Sequence, residues 1–112
     1  MGAGVTTFHV DDDVYGICDG AFAEFASASV NKLAPKPVNL SFEEAATVPV
    51  SAVTALQGLR DQGQIRPGQK VLINGASGGV GTFAVQIAKS FGAEVTAVCS
   101  TRNVEMERAL GA

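Results

Sequence analysis

The chain has 112 residues, 46% of them apolar, and a formal net charge of −3. That length allows one ordinary domain or parts of two, with apolar residues enough for a core. The mild acidity and the lack of a basic run disfavour nucleic acid as a main partner, no apolar run is long enough to span a bilayer, and no charged-then-apolar signal segment follows Met1.

In chain order, the first half reads as short strands. Residues 14–18 form one, around Tyr15, and residues 21–29 alternate Phe22, Glu24 and Phe25 with small residues. Asp19-Gly20 between them is a hairpin turn signal. Residues 32–37, with Pro35 and Pro37, read as an extended connection. Ser41-Phe42-Glu43-Glu44 then has the spacing of a capping box, so a helix is expected from Ser41. Pro49 interrupts it, and a second helix is expected over residues 51–61, closed by Gly63. Pro67-Gly68 is a turn.

Next comes Val71-Leu72-Ile73-Asn74-Gly75-Ala76-Ser77-Gly78-Gly79-Val80-Gly81. An apolar strand runs into glycines, and the glycines open a helix. Val80, Phe83, Ala84, Ile87, Ala88 and Phe91 make its apolar stripe, and Gly92 ends it. Residues 94–99 form a second strand. The βαβ length and the glycine spacing suit a dinucleotide pyrophosphate, because glycines admit a phosphate without a Cβ and a helix start offers unpaired N–H groups. The alternative is an α/β turn without a dinucleotide, as in flavodoxin-like folds. Residues 100–103 follow as a loop and residues 104–110 as a helix ending at Gly111.

The expected class is α/β. Two parallel strands should be buried on both faces and flanked by more strands, and the opening strands are too few for a barrel or sandwich. The sequence thus reads as the middle of a larger protein.

Several segments in succession carry a family resemblance: residues 8–16 around Val14-Tyr15-Gly16, Gly20-Ala21-Phe22-Ala23-Glu24-Phe25, Leu40-Ser41-Phe42-Glu43-Glu44-Ala45-Ala46, Thr54-Ala55-Leu56, and residues 74–81. Together they resemble the medium-chain dehydrogenase/reductase superfamily, specifically its zinc-free quinone-oxidoreductase-like branch, over essentially the whole chain. The resemblance implies the C-terminal part of a GroES-like β substrate domain at residues 1–47. It implies the N-terminal part of a Rossmann dinucleotide-binding domain at residues 48–112. Intact members would be about three times as long, with two domains of roughly 100–200 residues. The implied activity is hydride transfer from NADPH to quinones, enones or other activated C=C or carbonyl substrates. By position, Gly75, Ser77, Gly78, Gly79, Val80 and Gly81 match the cofactor motif, with the Gly79 and Val80 amides facing the pyrophosphate. Thr54 matches a threonine near the nicotinamide. Ala76 stands where the usual fingerprint has its first glycine, which is tolerable if its φ is negative.

The end of the second strand separates the cofactors. NAD enzymes place Asp or Glu there for the ribose 2′-OH. Here Ser100, Thr101 and Arg102 stand instead, a set suited to a 2′-phosphate, and NADPH is expected. The alternative makes Ser100 and Thr101 turn residues and Arg102 a solvated charge. Zinc is disfavoured because Cys18, Cys99 and His9 are separated singles. The cysteines also form no disulfide framework, so a reduced cytoplasmic protein is expected. Glu43 and Glu44 are explained by capping, and no catalytic residue can be named. The competing readings are a non-catalytic dinucleotide-binding module, and a short chain that self-associates through open strands and does not turn over quinones alone.

Overall fold

The computed structural model describes residues 1–112, and it pairs other residues than the expected hairpin. Strand β1, Val14–Gly16, runs antiparallel to β2, Leu33–Pro35, with Val14 opposite Pro35 and Gly16 opposite Leu33. The expected connection at residues 32–37 is therefore partly strand. Pro35 fits at the end of an edge strand, where its missing N–H breaks no ladder bond. Ile17 N donates to Lys32 O at 3.2 Å and Lys36 N to Asp13 O at 2.9 Å, extending the pairing at both ends. Residues 21–29 are not a strand, and Phe22 and Phe25 stand almost fully exposed. The reason is spacing. Two phenylalanines three residues apart cannot share one face of a strand, whose period is two.

The chain divides into two compact units, Met1–Val50 and Ser51–Ala112. In the first, helix α1, Phe42–Ala46, starts with the expected capping box. Ser41 Oγ accepts from Glu44 N at 3.1 Å, and Glu44 Oε2 accepts from Ser41 N at 2.8 Å. Lys36 Nζ lies 5.0 Å from the centroid of the Phe42 ring.

Helix α2, Val48–Leu56, begins before Pro49 rather than after it. Proline in the first turn loses an N–H that has no helical partner anyway. Beyond α2 the backbone widens into a π-helical segment, Gln57–Gln62, capped at Gly63, whose N–H reaches back to Gly58 O at 2.8 Å.

The second unit is built on a βαβ core. Strand β3, Lys70–Asn74, and strand β4, Glu94–Val98, are parallel, in register from Lys70 opposite Glu94 to Asn74 opposite Val98. Helix α3, Gly79–Ser90, crosses between them. Its buried stripe is Gly81, Ala84, Val85 and Ala88. The stripe is rotated from the expected one, since Val80 is 41% exposed and Val85 is fully buried. Small residues at positions 81, 84 and 88 let the helix lie close on Ile73 and Val95, so the smallest stripe faces the sheet. Ala55, Ala76 and Ala93 complete this alanine-rich core, and Leu110 packs on its edge. Helix α4, Val104–Leu110, follows a 3₁₀ turn at Thr101–Asn103, where an open loop was expected. It buries Glu107 to 2% exposure, with neither carboxylate oxygen hydrogen-bonded.

Only one face of the sheet is covered. Val71, Ile73, Val95 and Ala97 turn toward α3, while Leu72 (68%) and Val98 (44%) are exposed on the other face. No helix is long and apolar enough to cross a membrane.

Candidate functional site

The buried Ile73 anchors β3 and delivers Asn74 to the carboxyl end of the sheet. There Gly75 takes φ +70°, a left-handed conformation that reverses the chain without the cost of a Cβ. Gly78 N donates to Gly75 O at 3.0 Å, and Ala76 N to Val98 O at 3.1 Å, which ties the turn to the end of β4. Ala76 is buried and is not among the residues with positive φ, so alanine is unstrained where the fingerprint usually has glycine. Gly81 has no such latitude. A Cβ on it would lie 2.3 Å from Gly75 O and 2.4 Å from Ala76 O.

This turn leaves donors free. Gly78 is the extended N-cap of α3 and offers no side chain to the first turn. The first bond closing the helix runs from Thr82 N to Gly78 O at 3.0 Å. The N–H groups of Gly79 and Val80, both at exposed positions, therefore find no acceptor in the chain. Unpaired amides at the positive end of a three-turn helix attract an anion. Space is also present, because a Cβ on Gly79 would meet only Ser51 Oγ, at 3.6 Å. Ser77 is half-buried in the turn.

Ser51 was missed by sequence reasoning. It lies three residues before Thr54 on α2, so the two share a helix face. That spacing of hydroxyls was the available signal.

At the end of β4 the structure sets Ser100, Thr101 and Arg102 at exposed positions. The turn is closed by Asn103 N donating to Ser100 O at 2.9 Å, and Asn103 Nδ2 donates to Ser100 Oγ at 3.2 Å. Arg102 has no acidic partner, and the next carboxylate, Glu105, accepts from Arg108 Nη1 at 2.8 Å. The two clusters thus lie at the carboxyl ends of adjacent parallel strands, where open α/β sheets bind ligands. The glycines and amides fit a pyrophosphate, and the hydroxyls and guanidinium fit a second phosphate. His9 is exposed, with Nδ1 3.7 Å from Asp12 Oδ2, and Cys18 and Cys99 are free and half-buried. No three His, Cys, Asp or Glu side chains gather as a metal site would require.

No protein-family model matches the chain. Individual proteins do. The chain is 40% identical over 121 residues to the chloroplast envelope quinone oxidoreductase homolog of Arabidopsis thaliana, covering 100% of this chain and 37% of that protein. An alcohol dehydrogenase superfamily protein from Novosphingobium aromaticivorans superposes with a TM-score of 0.93 at 40% identity, over 96% of this chain and 34% of that one. The CurK enoyl reductase superposes with a TM-score of 0.89 at 41% identity, over 96% of this chain and 32% of that one. The chain therefore spans about a third of the length of these relatives, and far less of several polyketide synthases that it also matches. With sequence and backbone agreeing along nearly all of its length, the chain belongs to the medium-chain dehydrogenase/reductase superfamily of oxidoreductases.

Proposed function

We propose that the chain supplies the phosphate-binding part of the cofactor site in an NADPH-dependent reductase of the zinc-free, quinone-oxidoreductase type. Its substrates are quinones or other activated C=C or carbonyl compounds. In this reading residues 1–47 belong to a GroES-like substrate domain and residues 48–112 to a Rossmann domain. One observation carries the proposal. The free Gly79 and Val80 amides lie in the same unit as a strand end that bears Ser100, Thr101 and Arg102 and no carboxylate. An acid at that strand end would hold a ribose 2′-OH and repel a 2′-phosphate. The names of the relatives, a quinone oxidoreductase homolog and an enoyl reductase, support an electron-poor double bond as substrate.

NADPH, when bound, supplies the hydride. The protein's part would be orientation: the Gly79 and Val80 amides and the Ser100 and Thr101 hydroxyls would hold the phosphates, and Thr54 would stand on the nicotinamide side. The test is titration of NADPH into the chain, followed by amide chemical shifts, which report millimolar binding. Gly79→Glu sets a carboxylate against the pyrophosphate and is expected to weaken binding at least tenfold, about 1.4 kcal/mol. Arg102→Ala is expected to weaken NADPH much more than NADH. Unchanged affinity in Gly79→Glu refutes the phosphate turn, and equal losses in Arg102→Ala refute the choice of NADPH.

A further inference from the structure

The bond from Asn103 to Ser100 has a consequence for which phosphate the strand end accepts. Asn103 lies outside the groups assigned above to the cofactor. Its main chain already closes the 3₁₀ turn through the 2.9 Å bond to Ser100 O. Its side chain makes no capping bond to α4. The amide instead donates from Nδ2 to Ser100 Oγ at 3.2 Å.

A serine hydroxyl has one hydrogen and two lone pairs. When a neighbour donates to a lone pair, the hydrogen is left to donate elsewhere, and Ser100 Oγ makes no other hydrogen bond. A phosphate dianion offers only acceptors. An acceptor at position 103 would consume the Ser100 hydrogen and turn lone pairs toward the phosphate. The half-buried Asn103 thus sets the polarity of an exposed hydroxyl at the strand end.

We propose that Asn103 is a positioning residue that presents Ser100 as a hydrogen-bond donor and so sets the preference for a 2′-phosphorylated dinucleotide. The proposal rests on the reading of residues 100–102 as the 2′-phosphate site.

The experiment compares 2′,5′-ADP with 5′-AMP, each titrated into the chain and followed by amide chemical shifts. The wild type is expected to bind 2′,5′-ADP more tightly. Asn103→Ala is expected to cut that preference about three- to tenfold, as loss of one well-directed hydrogen bond would, and 5′-AMP binding should stay within about twofold. Asn103→Asp, which has the same shape and exchanges the donor for an acceptor, is expected to cut it further. Both substitutions are repeated in a Ser100→Ala background, which isolates the coupling between the two residues. There Asn103→Ala should have no further effect, and Asn103→Asp should retain only the repulsion of its charge.

An unchanged preference in Asn103→Ala, or an equal loss with and without Ser100, overturns the inference and leaves the 2′-phosphate site standing. A wild type that binds both nucleotides equally, or binds neither, overturns the site and the inference together.

Discussion

Gly81→Ala adds one methyl group at the crossing of α3 and the glycine turn. The new Cβ would lie 2.3 Å from Gly75 O and 2.4 Å from Ala76 O. The closest usual C···O approach is roughly 3.3 Å, so the atoms must part by about 1 Å. Neither obstacle is a flexible side chain. Both are backbone carbonyls of the turn, which the Ala76 N–Val98 O bond ties to β4. Either α3 lifts from the sheet or the turn opens. Overpacking of this kind costs about 1–3 kcal/mol, and the upper end applies where backbone must move. Alanine returns up to about 1 kcal/mol of helix propensity. The net loss is about 2 kcal/mol, or roughly a 30-fold fall in the population ratio. Hydrogen exchange of the α3 amides reads this locally and does not require a two-state melt. Gly79→Ala is the internal control, because its Cβ meets only Ser51 Oγ, at an ordinary 3.6 Å, and its exchange is expected to stay unchanged or slow slightly. Wild-type protection in Gly81→Ala, or equal losses in the two variants, would refute the claim that helix and turn touch at this glycine.

Two further outcomes follow from the same unit. Glu107 is buried with both carboxylate oxygens unpartnered, so Glu107→Met, similar in shape and without the polar atoms, is expected to gain about 1–3 kcal/mol; a variant that exchanges faster than wild type in α4 would contradict this. The exposed sheet face and the free edges of β3 and β4 are expected to drive self-association. Leu72→Lys should shift sedimenting species toward monomer, and no change in sedimentation would remove this face as the contact.

The local elements were legible where neighbours in sequence decide them. The Ser41–Glu44 capping box formed as its spacing demanded, because both of its bonds are made within one turn. The strand–turn–helix at residues 70–90 was equally plain: an apolar run, glycines and a helical period all lie within one short segment. The missing acid after β4 was also a matter of reading residues in order. What sequence could not decide was anything set by a distant partner. β1 takes Leu33–Pro35 as its neighbour instead of residues 21–29, since pairing depends on which strand can present one buried face, and Phe22 and Phe25 cannot. The buried stripe of α3 turned from Val80 to Gly81 and Val85, because close approach to the sheet selects the smallest side chains over the most apolar ones. Ser51 came to stand beside Gly79, and Asn103 beside the Ser100 hydroxyl, through the packing of α2 and the tightening of a loop into a 3₁₀ turn. Composition and spacing name the groups that can bind phosphate, but only the folded chain decides which of their hydrogens and lone pairs are left free to do it.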